Sequence, residues 1–173
     1  MTHTICLDIE TTDLSPMSGM IISIGVKDDR EEMVFMYNKQ SGEKKVLQDF
    51  WSYIFEKRKF DMIKLAGFGN ADFDIPYINI RSIKHDIKIL QPQNQYGVID
   101  LRKLLTNYNP LMKGKLTDFC RLFNIKDEDG DLMGFQMSEA FIKEEFDRIR
   151  QHNLYDIRRT YKLFKKVEGV GLI

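Results

Sequence analysis

Hydrophobic and polar positions near the N-terminus follow a pattern typical of β-strands. Residues 4–9 are mostly apolar and predict a buried strand. The stretches "MIISIGVKDD" and "EEMVFMYN" predict two more strands, joined by a charged turn at residues 28–31. Three consecutive strands with short connections predict a meander.

Helical spacing of apolar residues appears next. "VLQDFWSYIFEKRKF" predicts a helix that packs on the sheet, with Trp51 in or near the core. "IKLAGFGNADFDIPYINIRSI" predicts a short strand, a glycine-containing turn and a helix that begins near Pro76, since proline is tolerated in a first helical turn.

The C-terminal half is mostly helical in pattern. "GVIDLRKLL" predicts a strand that leads into a helix, and "GKLTDFCRLFNI" a helix whose apolar side includes Phe119 and Leu122. The acidic stretch "DEDGDLMG" lacks the final glutamate of a calcium loop and reads as a solvated turn. Two helical stretches follow, with Ser138 as a candidate N-cap. The whole pattern predicts helices packed on a mixed sheet in an α/β domain.

Length and composition narrow the class of protein. The 173 residues suit one domain spanning residues 1–173, and no apolar run approaches the ~20 residues needed to cross a bilayer. The N-terminus lacks the pattern of a signal peptide, so we expect an intracellular, cytoplasmic protein with reduced Cys6 and Cys120. The three histidines show no zinc-like spacing, so a structural zinc site is not expected.

Charge gives a weaker constraint. The 26 basic and 26 acidic residues cancel, so the chain lacks the overall basic field of many duplex-binding proteins. A small pocket for one nucleic-acid end remains compatible with this balance, because bound metal ions can meet the phosphates.

Two carboxylates in the first strand require an explanation. Asp8 and Glu10 lie about 6.6 Å apart along the strand and point to one face, while Ile5, Leu7 and Ile9 point to the other. Facing carboxylates repel and lose solvation unless a partner neutralises them, and a hard divalent cation suits an oxygen-only pair. The sequence therefore predicts a metal site on this face.

Further candidate ligands have simpler interpretations when taken singly. His152, Asp156 and Thr160 recur at a spacing of four and share a helical stripe, which alone could be an exposed His–Asp pair. Asp72 or Asp74 could serve only as the N-cap of the helix near Pro76.

Three segments together resemble a known pattern. "DIETTDL" at residues 8–14, "GNADFDIPYI" at 69–78 and "HNLYDIRRTYKLF" at 152–164 resemble the three motifs of the DEDD superfamily of 3′-to-5′ exonucleases, in the correct order. The segment from "GDLMG" through "YKLF" also looks like stand-alone relatives of the B-family polymerase exonuclease domain. The resemblance implies an RNase H-like α/β fold, with a mixed, mainly five-stranded sheet and helices on both faces.

The resemblance also implies a site and an activity. Asp8, Glu10, Asp74 and Asp156 would bind two Mg²⁺ or Mn²⁺ ions, the pair that such phosphodiester hydrolysis uses. The substrate would be the 3′ end of single-stranded DNA or RNA, released as nucleoside monophosphates. The sequence leaves open the choice between DNA and RNA, the pathway, any action in trans with a polymerase, and the oligomeric state.

Three other positions match residues that surround the substrate in this family. Thr11 and Leu14 match positions that contact the 3′-terminal nucleotide, and Asn70 matches a residue near the acid of the second motif. Leu14 has an alternative interpretation as a loop residue folded onto the core.

The third motif departs from both familiar types. His152 stands four residues before Asp156, at the spacing where tyrosine-type members place a tyrosine. We expect His152 to accept the proton of the attacking water, with Tyr155 as the second candidate. The alternatives to an exonuclease are a catalytically silent binding or scaffold protein of the same fold and an RNase H-like endonuclease.

Overall fold

One mixed sheet organises the chain. The structure is a computed structural model that describes residues 2–59, 62–90, 96–126, 132 and 134–173. Within these residues the sheet has five strands in the order β3-β2-β1-β4-β5. They are β1 (Thr2–Thr11), β2 (Ile21–Lys27), β3 (Glu32–Met36), β4 (Met62–Gly67) and β5 (Tyr96–Asp100).

The pairing confirms the meander. β1 pairs antiparallel with β2, and β2 pairs antiparallel with β3. β4 pairs parallel with both β1 and β5. The sheet is therefore mixed, and β1 is its central strand. The α-helices in the described residues are α1 (Gly42–Arg58), α2 (Asp74–Lys84), α3 (Leu101–Leu105), α4 (Leu116–Leu122), α5 (Met137–Ile142) and α6 (Phe146–Gly169).

Different helices cover the two faces of the sheet. Ile5, Leu7 and Ile9 belong to a core cluster that also contains the buried apolar residues of α1 and α2, including Trp51. Cys6, on the opposite face of β1, belongs to a cluster with buried apolar residues of α6 such as Ile157 and Leu163. The fold is therefore α/β, with helices on both faces of a mixed five-stranded sheet, as predicted. In the described part of the chain, no helix has the length and hydropathy needed to cross a membrane.

Three local predictions fare differently. Ser138 lies inside α5, whose N-cap is Gln136, and the Ser138 hydroxyl donates to the Thr12 carbonyl, so its prediction as an N-cap is wrong. Leu122 is 70% exposed, because the core-facing side of short α4 is centred on Leu116 and Phe119. Of the acidic turn predicted at residues 127–134, residues 127–131 and 133 lie outside the described residues.

Candidate active site at the end of strand β1

Asp8 and Glu10 lie on the face of β1 that α6 covers. Their Cα partners on β2 are Gly25 and Ser23, so the Ser23 side chain lies on the same face of the sheet as Asp8 and Glu10. The register shifts directly after Glu10, where Thr11 pairs with Ile21. Such an irregularity bends a strand and redirects its side chains, and here it marks the exit from β1 into the loop that follows.

Asn153 of α6 holds the first carboxylate. Its Nδ2 donates to Asp8 Oδ2 at 2.7 Å and approaches the Asp8 carbonyl oxygen at 3.3 Å. Gly25 permits this approach, because a Cβ at that position would lie 2.6 Å from Asn153 Oδ1. Asn153 is completely buried, so it keeps Asp8 in one orientation while it joins α6 to the sheet.

Glu10 meets two residues of α6. His152 Nε2 lies 3.5 Å from Glu10 Oε1 and 3.4 Å from Asp156 Oδ2. The donor atoms of these three residues all lie within 4.8 Å of one another, so they form a candidate metal-binding group. Arg159 Nη1 lies 2.7 Å from Asp156 Oδ1 and orients that carboxylate from the other side.

Asp74 reaches the site from α2. Its Oδ1 accepts a hydrogen bond from the Ile9 backbone N–H at 3.0 Å, across 65 positions of sequence. The N-cap of α2 is Phe73, and no side-chain hydrogen bond caps this helix. The Asp74 carboxylate therefore joins α2 to β1 rather than capping its own helix. Asp72, the other N-cap candidate, is exposed and forms an ion pair with Lys103.

Burial and mutual repulsion dominate the electrostatics. Burial raises the pKa of Asp8 well above its ordinary value, and the charges of Glu10, Asp156 and Asp74 raise it further. Burial and the charges of Asp156 and Asp74 likewise raise the pKa of Glu10. Burial raises the pKa of Asp74 to about 7, although the hydrogen bond from Ile9 works in the opposite direction. The acids of all three motifs are thus close enough to repel one another, and a cation would relieve this repulsion.

The predicted substrate residues occupy different environments. Thr11 Oγ1 donates to the Asp13 carbonyl at 2.9 Å, directly after Glu10. Leu14 is 84% exposed, which excludes the alternative of a side chain folded onto the core. Asn70 is completely buried and its Nδ2 contacts the Leu65 carbonyl at 3.4 Å, so the structure does not place it on the surface of the site.

Sequence reasoning missed two residues of the site, Asn153 and Arg159. Asn153 directly follows His152 in the third motif, and a polar residue beside the histidine was the available signal. Its contact with Asp8 depends on how α6 packs and could not be derived from spacing. Among the described contacts, His152 approaches both Glu10 and Asp156, whereas none joins Tyr155 to either carboxylate.

Comparisons with known proteins agree with this architecture. A family model described as the RNase_H superfamily matches residues 5–168, and the chain belongs to this superfamily. An uncharacterized protein of Methanocaldococcus jannaschii is 35% identical over 176 residues, covering 96% of each chain.

The chain is also similar to a solved structure, the family B DNA polymerase of the hyperthermophilic archaeon Pyrobaculum calidifontis. The TM-score is 0.81 at 17% identity, over 95% of this chain and 24% of the polymerase chain. The chain thus spans about a quarter of that polymerase, and the similarity is one of fold. That fold, RNase H-like α/β, is of the nuclease type.

Proposed function

We propose that the protein is a metal-dependent 3′-to-5′ exonuclease of the DEDD type that acts on single-stranded nucleic-acid ends. The observation that carries the proposal is the convergence of four acids from three distant motifs at the end of β1. Asp8, Glu10 and Asp156 lie between the sheet and α6, and Asp74 joins them through Ile9. Water would add to phosphorus, the bond to the preceding 3′ oxygen would break, and the terminal nucleotide would leave with a 5′-phosphate.

The donor set fits two divalent ions. Asp8, Glu10, Asp74 and Asp156 offer carboxylate oxygens, which favour Mg²⁺ or Mn²⁺. The raised pKa values of Asp8, Glu10 and Asp74 indicate buried carboxyl groups that a cation would stabilise in the ionised form. When bound, two such ions lower the pKa of water and stabilise the charge that develops on the phosphate.

The chain's own residues would orient and transfer the proton. His152 lies against Glu10 and Asp156, and its imidazole would accept the proton of the attacking water. Asn153 would keep Asp8 oriented, and the Ile9 backbone would do the same for Asp74. Leu14, exposed on the loop after the first motif, would contact the terminal base.

A time course on 5′-labelled DNA and RNA oligonucleotides with Mg²⁺, Mn²⁺ or EDTA tests the proposal. We expect metal-dependent shortening from the 3′ end, no cleavage in EDTA, and an intact circular single strand. The Asp8→Asn variant should be folded and inactive. Release of the labelled 5′ nucleotide as the first product would overturn the polarity. Cleavage of the circle would identify an endonuclease, and binding without hydrolysis would identify a silent binding protein.

A further inference from the structure

The segment between β1 and β2, residues 12–20, forms a closed loop. At its base, Thr12 N donates to the Met20 carbonyl at 3.0 Å, and Met20 N donates to Thr12 Oγ1 at 3.0 Å. Within the loop, Ser15 N donates to Asp13 Oδ1 and Gly19 N donates to the Ser15 carbonyl, both at 2.8 Å. These local bonds make the 12–20 loop a compact unit whose ends lie close together.

Two side chains of α2 hold this loop from beneath. The Tyr77 hydroxyl lies 3.0 Å from the Asp13 carbonyl oxygen and 3.4 Å from the Ser15 carbonyl oxygen. Arg81 Nη1 donates to the Pro16 carbonyl at 3.0 Å. Three backbone carbonyl groups of the loop are therefore attached to the helix that also carries the acid of the second motif.

A buried ion pair fixes Arg81. Its Nε and Nη2 donate to the two oxygens of Glu43 at 2.8 and 2.6 Å, a bidentate geometry that defines both position and orientation. The same carboxylate accepts from Ile21 N at 2.7 Å, just after the loop ends, and lies 2.8 Å from His85 Nε2. Arg81 and Glu43 are both buried, so solvent does not loosen this anchor.

The anchored loop presents apolar side chains to solvent. Leu14 is 84% exposed and Met17 is 74% exposed. These exposed side chains contribute nothing to the core, although the loop that carries them is hydrogen-bonded to α2 at several points. The loop begins directly after Thr11, next to Glu10, so an apolar contact here would face the end of a strand whose phosphate lies at the carboxylates.

We propose that Tyr77 and Arg81 are positioning residues that hold the 12–20 loop so that Met17, together with Leu14, contacts the terminal base of a single-stranded 3′ end. This inference rests on the proposed function and extends it to residues outside the three motifs. The ligand is a nucleobase, because the flexible thioether of Met17 and the side chain of Leu14 can pack on the flat apolar face of a base. All four bases offer such a face, so the contact does not depend on base identity.

The test measures binding apart from hydrolysis. Fluorescence anisotropy in Ca²⁺ compares a 5′-labelled single-stranded oligonucleotide that has a natural 3′ nucleotide with one whose 3′ nucleotide is abasic. The wild type should prefer the natural end. Met17→Ala, Tyr77→Phe and Arg81→Lys should each lower that preference about fivefold, the effect expected of roughly one lost hydrogen bond or small contact. Tyr53→Phe, the same chemical change on α1, is the matched control and should keep the preference.

Thermal melts establish that each variant is folded, and exposed Met17 provides a variant that does not depend on the buried network. An unchanged preference in folded Met17→Ala and Tyr77→Phe proteins, or no preference in the wild type, would overturn the inference. A wild type that prefers the natural end but never hydrolyses it would refute the exonuclease and leave this inference standing. As a second readout, Tyr77→Phe should raise the oligonucleotide KM while leaving hydrolysis of bis(4-nitrophenyl) phosphate unchanged.

Discussion

Two acids of the site, Asp8 and Asp74, are each oriented by an uncharged donor. Asn153 donates to Asp8 through a neutral amide, and the Ile9 backbone donates to Asp74. Neither donor carries a charge, and burial together with nearby carboxylates still raises the pKa of both acids and of Glu10. The metal-free site therefore has a built-in repulsion that a neutral substitution removes.

The Asp8→Asn variant tests this repulsion. A raised pKa means that the ionised form is disfavoured in the fold, so at pH 8 in EDTA the variant should melt at the same temperature as the wild type or higher. The new side-chain carbonyl can still accept from Asn153. Mg²⁺ should raise the Tm of the wild type and have little effect on the variant.

Asp49→Asn, a change at a partly exposed acid of α1, is the matched control and should not alter the response to Mg²⁺. A clearly lower Tm of Asp8→Asn in EDTA would show that the carboxylate stabilises the metal-free fold, contrary to the repulsion argument.

In the proposed exonuclease, His152 stands at the spacing where tyrosine-type DEDD exonucleases place a tyrosine. If it accepts the proton of water, His152→Ala should lower turnover by about 10²- to 10⁴-fold. The Mg²⁺ concentration for half-maximal activity should stay the same. His152→Tyr should recover part of the loss, because a phenol occupies this spacing in the tyrosine-type exonucleases that the third motif resembles.

The comparison variant is Tyr155→Phe, which should retain wild-type turnover. An inactive Tyr155→Phe protein would move the role to Tyr155. A His152→Ala protein that needs much more Mg²⁺ would make the imidazole a metal ligand beside Glu10 and Asp156.

The sequence was informative where a side chain's direction follows from local periodicity. Strand alternation was sufficient to predict that Asp8 and Glu10 share a face opposite Ile5, Leu7 and Ile9, and the core clusters confirm that split. The bond from Ile9 to Asp74 joins residues 65 positions apart and depends on how α2 docks. No local pattern could distinguish that role from an N-cap.

At the level of elements, α2 links the candidate site to the 12–20 loop. Asp74 lies at its first residue, and Tyr77 and Arg81 follow along one side of the helix. Its anchor on Glu43, at the start of α1, was invisible in the sequence because the two residues lie 38 positions apart. Ser138 is a second example of a long-range contact that the sequence did not reveal. Its hydroxyl was expected to cap a helix, but it donates to the Thr12 carbonyl.

This anchor predicts a pH dependence of stability. Burial alone would raise the pKa of Glu43, but hydrogen bonds from Arg81, Ile21 and His85 outweigh it and hold the pKa below its ordinary value. A lowered pKa contributes stability above the unfolded value, near 4.3 to 4.5, and that contribution disappears as pH falls through the folded pKa. Glu43→Gln should therefore lower the free energy of unfolding at pH 7 and have a much smaller effect near pH 3.

Urea unfolding in EDTA at both pH values provides the measurement. Glu56→Gln, at an exposed acid of the same helix, serves as the control and should change little at either pH. An equal loss at pH 7 and pH 3 would mean that Glu43 acts through packing rather than through its charge.

At the level of the whole molecule, the sheet order brings the motifs together. β1 is central and parallel to β4, so the first motif at the end of β1 and the second motif after β4 meet at one edge of the sheet. The long helix α6 crosses the face of β1 that carries Asp8 and Glu10, and it brings the third motif to the same place. The alternation of elements was sufficient to predict an α/β layer, but the strand order depends on long-range pairing that no local pattern encodes, and it was not predicted.

This arrangement predicts that the protein senses the end of a strand. A 3′-phosphate adds negative charge where the terminal hydroxyl would lie, beside Asp8, Glu10, Asp74 and Asp156, so it should slow hydrolysis strongly.

A blunt duplex should be cut more slowly than a single strand, because its terminal pair must open before the base reaches Leu14. Initial rates on 5′-labelled single strands with a free or a phosphorylated 3′ end, and on the duplex, provide the comparison. A phosphate on an unlabelled 5′ end should have no effect, since that end lies far from the site. Equal rates with free and phosphorylated 3′ ends would show that the carboxylate cluster does not act at the terminus. The added phosphate charge would then lie too far from the carboxylates to be repelled by them.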